Sequence, residues 1–243
     1  MANRKATRIT TLVNALSARR VLHLKDAAAL LGVSEMTVRR DIADNPALFG
    51  YLGGHIVPAA DLDSEAPYEL ARAADSHAAA KREASAHAAN YIRPDETIFI
   101  DCGTTLEYLV DLIPENYPVT AVCYALNTAQ QLARRRNVRL ILLGGVYHPS
   151  SASFFGDAGL ETLDQLGINV AFLSAAGVDL GRGASCEHFH EVPVKQKVIS
   201  IARENYLVVD RSKIGKLKPA FFARMSAFRS MITEEGESAI RGI

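Results

Sequence analysis

Three short loops and one stretch near the N-terminus carry the residue types from which chemistry can be built. Asp101-Cys102-Gly103-Thr104-Thr105 lies between an apolar run, residues 97–101, and a helical pattern that starts at Thr104. A glycine there lets a ligand approach the backbone, the helix start offers unpaired amides, and two hydroxyls add donors. Together these form a cradle for phosphate. Val209-Asp210-Arg211-Ser212-Lys213 also follows an apolar run, and Lys213 can neutralise a phosphate as a point charge. Leu143-Gly144-Gly145-Val146 is placed the same way; its missing side chains leave room for a ligand or make a plain turn. Gly156-Asp157 and Gly177-Val178-Asp179 read as similar turns, and Asp179 can bond a sugar hydroxyl or close an Asx turn. No Gly-Lys-Ser/Thr follows the threonine loop, which argues against a Walker loop and its nucleoside triphosphate.

The fourth stretch, Leu22 to Ile42, suits a polyanion of another kind. Leu24, Ala27, Ala28 and Leu31 have helical spacing, Gly32 suits a left-handed cap, and Ser34 suits the N-cap of a second helix. Val38 and Ile42, one turn apart, face inward, which leaves Glu35, Met36, Thr37, Arg39 and Arg40 outside. Two short helices across a tight turn are the helix-turn-helix that lays its second helix in a DNA major groove. Thr37 can meet a thymine methyl or accept a hydrogen bond, and Met36 can make apolar contact. Arg40 suits guanine or phosphate, and Arg39 suits phosphate.

Larger elements must position these groups. An apolar stripe at Ile9, Leu12, Val13 and Leu16 predicts a helix before the helix-turn-helix. Phe49 to Pro58 predicts two extended segments around Gly53-Gly54, a wing on which His55 can reach a phosphate or simply face water. The domain boundaries expected are 1–58 for this head, 59–75 for an acidic, proline-bounded linker and 76–243 for a body. Residues 71–91 read as an alanine-rich helix. Strands are expected at 97–101, 119–123, 138–143, 170–174, 206–209 and 230–233, with helices at 104–113, 127–135, 160–166 and 192–204. That alternation makes the fold α/β: a winged helix-turn-helix followed by a mostly parallel sheet covered on both faces, with its ligand crevice beyond the strands' carboxyl ends.

Composition agrees. Net charge is zero, but residues 1–50 hold eight Lys and Arg against four acids, so a basic head precedes a mildly acidic body. The three cysteines are widely spaced with no CxxC pair, which argues against a disulfide framework or a metal site. No apolar run is long enough for a membrane helix and the N-terminus lacks the core of a signal peptide, so a cytoplasmic location is expected.

The run HLKDAAALLGVSEMTVRRDI resembles the DeoR family of bacterial transcriptional repressors. One departure stands in the wing, where the family's Arg-x-His-Gly-Gly is replaced by Leu52 before Gly53-Gly54, with no arginine nearby. The resemblance extends through the body, which is similar to the family's sensor domain and, in fold, to ribose-5-phosphate isomerase. It implies that the D-x-G-T-T loop, Asn127 and the D-x-S-K segment line a phosphosugar pocket, and that Glu191 and Lys195 take part. It further implies repression of sugar or deoxyribonucleoside catabolism, with an effector such as deoxyribose 5-phosphate. The partners expected are double-stranded operator DNA, that effector and further copies of the chain, because two half-sites must be reached together. No membrane, cofactor, metal or catalytic residue is expected. A sugar-phosphate isomerase with a basic appendage is the competing reading, with Glu191 as general base and Asp101 or Lys213 assisting; the helix-turn-helix decides against it.

Overall fold

The computed structural model describes residues 2–19, 22–52, 55–58 and 77–240. The chain divides into two compact units, residues 1–65 and 66–243.

The first unit contains helices α1 (Ala2–Arg19), α2 (Leu24–Leu31) and α3 (Glu35–Ala43), with strands β1 (Leu22–His23), β2 (Phe49–Leu52) and β3 (His55–Pro58). Gly32 ends α2 in the left-handed region at φ 63°, and the Ser34 side chain caps α3 by accepting from the Thr37 amide at 3.3 Å. Leu12, Leu16, Leu24, Ala27, Val38, Ile42, Phe49 and Ile56 form one buried core, so the expected apolar stripes of α1, α2 and α3 do face each other. β2 and β3 pair antiparallel with Leu52 opposite His55, and β1 adds a third strand that two residues gave no pattern to foresee. Between α1 and α3, Arg8 grips Asp41 with two hydrogen bonds of 2.6 and 3.0 Å. Asp41 is buried. The Gly53-Gly54 turn and the linker expected at 59–75 lie outside the described residues.

The first described helix of the second unit is α4 (Ala78–Ala89); residues 71–76 of the helix expected at 71–91 lie outside the described ones. Then follow β4 (Thr97–Ile100), α5 (Thr104–Asp111), β5 (Val119–Cys123), α6 (Leu126–Leu132), β6 (Val138–Leu142), β7 (Val146–His148) and β8 (Ser153–Phe155). The chain continues through α7 (Asp157–Asp164), β9 (Val170–Leu173), β10 (Gly177–Asp179), β11 (Gly183–Cys186), α8 (Val192–Ile201), β12 (Glu204–Val208), β13 (Ala220–Ala223), β14 (Ser230–Thr233) and β15 (Gly236–Ala239). A seven-stranded sheet in the order β15-β14-β12-β9-β4-β5-β6 is parallel except for β15.

Helices cover both faces. Residues of α4, α5 and α6, among them Ala84, Leu106, Leu109 and Leu132, pack with Ile98, Ile100 and Phe172 on one side. Leu163, Val194 and Val198 of α7 and α8 pack with Phe99, Ala171 and Leu173 on the other. Two features depart from expectation. Gly177-Val178-Asp179, read as a turn, is strand β10 of a small sheet β10-β11-β13, and β7 and β8 form a separate hairpin. These strands are short and mix glycine, serine and aspartate, so they lack the apolar alternation by which strands are recognised.

Candidate functional site

The strand order sets the site. Going outward from β4, the chain proceeds through β5 and β6 on one side and through β9, β12 and β14 on the other. Loops leaving β4 and β9 therefore diverge, and a crevice opens at that switch point beyond the strands' carboxyl ends. A cleft open to solvent lies there. Its walls include Cys102, Gly103, Thr104 and Thr105 after β4, Ser174, Ala175 and Ala176 after β9, and Lys213 after β12. Glu187, His188 and Glu191 come from the segment leading into α8, Lys195 from the first turn of α8, and Ser151 from the β7–β8 hairpin.

The cradle is the start of α5. Gly103 is its N-cap residue and has no side chain with which to satisfy the first amides, which are left for a ligand. Ser174 approaches so closely that a Cβ on residue 103 would lie 2.2 Å from its Oγ, so only glycine fits. Lys213 is set by the turn before it, in which Asp210 Oδ1 accepts from the Ser212 amide at 3.0 Å. Beneath the cradle Lys81 of α4, itself buried, donates to Thr104 Oγ1 at 3.1 Å.

Behind the cleft lies a sealed ionic cluster. Asp101, Tyr124 and Ser174 are the residues that directly follow the adjacent strands β4, β5 and β9. Asp101 Oδ1 accepts from the Tyr124 hydroxyl at 2.7 Å, and Oδ2 accepts from the Ser174 amide at 2.8 Å, the Ser174 hydroxyl at 2.7 Å and Lys195 Nζ. Burial alone would raise the Asp101 pKa; the Lys195 ammonium and these hydroxyls outweigh it and hold the carboxyl below its usual range. Glu191 stands 3.5 Å from Lys195, one turn away, and its carboxyl is pushed up by burial.

Of the sequence-predicted residues, the fold brings Cys102, Gly103, Thr104, Thr105, Glu191, Lys195 and Lys213 to one cleft. It places others elsewhere. Asp101 lies behind the wall, with both oxygens occupied by the protein. Asn127 donates to Glu107 at 2.5 Å, away from the cleft lining. Gly144 and Gly145 follow β6, the edge strand and thus two strands from β4, where Gly145 instead lets β8 approach: a Cβ there would meet the Phe155 backbone at 2.4 Å. Gly177 lies in β10, and Asp179 Oδ1 accepts from the Gly181 and Arg182 amides at 3.0 and 2.8 Å, an Asx turn.

Sequence reading missed Ser174, Ser151, Glu187, His188 and Cys186. Ser174 had a usable signal, since it ends an apolar strand at the carboxyl edge of the sheet. The others arrive on hairpins whose return path no local pattern reveals. His188 belongs to a histidine stack beside the cleft lining: the His148 and His190 rings lie 3.8 Å apart and nearly parallel, with His188 5.3 Å from His190. Ser151 Oγ pairs with His190 Nε2 at 2.9 Å. Among the described residues no group of three or more His, Cys, Asp or Glu is placed to hold a metal ion.

In the other unit, α3 presents Met36, Arg39 and Arg40 to solvent, with Met36 68% exposed. Glu35 and Thr37 are half-buried, and Thr37 Oγ1 pairs with Ser34 Oγ at 3.0 Å. His55 lies at the start of β3, opposite Leu52. An exposed large apolar side chain beside exposed arginines is what a groove-reading helix offers.

Comparison with known proteins extends these observations. Residues 8–45 match the family model described as the DeoR-like helix-turn-helix domain, and residues 76–235 that of the DeoR C terminal sensor domain. The deoxyribose operon repressor of Escherichia coli (strain K12) is 41% identical over 234 residues, which is 96% of this chain and 92% of that protein. Among solved structures, eIF2B beta from Chaetomium thermophilum overlays 66% of this chain and 50% of its own length at a TM-score of 0.50 and 13% identity. Ribose 5 phosphate isomerase A from Neisseria gonorrhoeae overlays 61% of this chain and 54% of its own length at a TM-score of 0.41 and 18% identity. This chain thus spans about half the length of each of those solved structures. Among the described residues no helix is long and apolar enough to cross a membrane.

Proposed function

This chain belongs to the DeoR family of transcriptional repressors, and on that premise we propose that it represses deoxyribonucleoside catabolism and leaves its operator when a phosphosugar such as deoxyribose 5-phosphate fills the cleft. It is a regulator and not an enzyme, since it matches a repressor over nearly its whole length, head and sensor together.

The observation that carries the effector reading is the cradle: open amides at the start of α5, two threonine hydroxyls and Lys213 around one cleft. A helix N-terminus and a lysine are the complement of a phosphate. Farther along the cleft, Ser151, Glu187, His188 and Glu191 supply the donors and acceptors that sugar hydroxyls need. Asp101 then serves the site indirectly, by fixing Ser174 and Lys195.

On DNA, α3 lies in the major groove, Arg40 contacts a base or phosphate and Arg39 a phosphate. Two heads on at least a dimer read two half-sites. The effector releases them by favouring a conformer whose heads no longer match the operator, and a 100-fold preference for that conformer supplies about 2.7 kcal/mol.

A gel shift with the full chain and duplex from its own promoter region tests this. Specific retardation, reversed by deoxyribose 5-phosphate and not by equimolar inorganic phosphate, is expected. Retardation that the sugar phosphate leaves untouched would overturn the effector assignment; absence of specific retardation would overturn the whole reading.

A further inference from the structure

Helix α4 touches the cradle twice from behind. Lys81 Nζ donates to Thr104 Oγ1 at 3.1 Å, and Ser85 Oγ donates to Thr105 O at 2.7 Å. The two residues are one turn apart, on the same face of α4, and 1% and 0% exposed. Burial opposes the Lys81 charge and so does the positive charge of Lys213, while Asp210 and Glu107 support it. Lys213 lines the cleft in front of the cradle, whereas Lys81 meets Thr104 from behind it and is not part of the cleft lining.

The position of α4 in the chain gives this contact a consequence. The helix starts at Ala78, directly after the stretch that leads from the DNA-binding unit. Resting on the phosphosugar reading above, we propose that Lys81 is the positioning residue through which α4 registers occupancy of the cradle and couples it to operator release. Thr104 Oγ1 accepts from Lys81, which leaves its own proton free to turn toward the cleft that Thr104 lines. A phosphate oxygen accepting that proton completes a chain from ammonium to hydroxyl to phosphate, in which each bond polarises and strengthens the next. Effector binding therefore tightens the hold on α4, the described helix that follows the head in the chain. Ser85 keeps the same helix face in register with the Thr105 carbonyl.

The test uses the full chain, deoxyribose 5-phosphate and the substitution Lys81→Met. The variant is expected to bind operator as the wild type does and still to gain thermal stability from the sugar phosphate. Its operator affinity should fall about tenfold less than the wild type's when the sugar phosphate is added. Hydrogen exchange should show α4 amides gaining protection on ligand addition in the wild type and not in the variant, with Lys81→Arg restoring both effects. Release of Lys81→Met equal to that of the wild type would make the lysine merely structural and overturn the inference. Loss of sugar-phosphate binding would make it a direct ligand and overturn it equally. If Lys81→Met fails to fold, Ser85→Ala reads the same coupling, and wild-type release with wild-type α4 protection in that variant would overturn the inference. Indifference of the wild type itself to the sugar phosphate would show that the underlying reading had failed first.

Discussion

Asp101 and Lys195, 94 residues apart in the sequence, meet as an ion pair with side chains only 0% and 1% exposed. Burial works against the Lys195 charge, but Asp101, with Glu191 and two thiols, raises its pKa well above the ordinary value. The pair joins the end of β4 to the first turn of α8 and so holds two walls of the cleft at a set separation.

Asp101→Asn should therefore damage the sensor fold rather than effector contact. It leaves an ammonium buried without its main counter-charge, a defect that typically costs about 3–5 kcal/mol. Urea denaturation should show the loss, and adding Lys195→Met should recover part of it. A single variant as stable as the wild type would show that the pair is not holding the walls.

Arg40→Ala tests the DNA face. Specific operator binding should weaken by about 1–3 kcal/mol if the arginine reads a base. Fluorescence anisotropy on operator and on scrambled duplex separates the cases, because an equal loss on both would make Arg40 a phosphate contact.

Lys213→Ala tests the cradle from the opposite side. Operator affinity should stay at the wild-type level, while the deoxyribose 5-phosphate concentration needed for release rises at least about tenfold, as befits a charge-assisted phosphate contact. Collapse of operator affinity instead would assign the lysine a structural role.

The histidine stack gives the sensor a pH dependence. Burial, followed by the charges of His148, His188 and Lys195, lowers the His190 pKa from 6.5 to about 3, and burial lowers that of His148 as well. Unfolding frees both imidazoles to take up protons below pH 6.5, whereas in the folded state His190 resists until about pH 3. Stability contributed by keeping them neutral is thus complete above pH 6.5 and declines as the pH falls through that window. Thermal melts between pH 7 and 5 should show a decline that His190→Gln reduces. An unchanged slope in the variant would remove His190 from the account.

The helix-turn-helix was legible because each part of it is local. The apolar spacing, the Gly32 cap and the Ser34 cap all act within a few residues, and the same forces operate in the folded chain. The α5 cradle was legible for the same reason: a strand, a glycine and two threonines make a helix start wherever the strand lies. Lys213 was found because its segment directly follows an apolar run, again a local signal.

Which loops share the cleft could not be read that way, because strand order is settled by long-range pairing. Gly144-Gly145 and the Asp101 loop look equivalent in sequence, yet β6 takes the edge of the sheet beyond β5 while β9 and β12 lie on the opposite side of β4, and it is on that side that Ser174 and Lys213 line the cleft with the Asp101 loop. Burial was equally out of reach. Asp101 read as a residue available to a ligand, and only a distant partner, Lys195, lets the protein take its charge out of solvent. Local sequence determined the elements and the chemistry at their ends; packing between residues far apart in the chain decided which of those ends meet and which charges face a ligand.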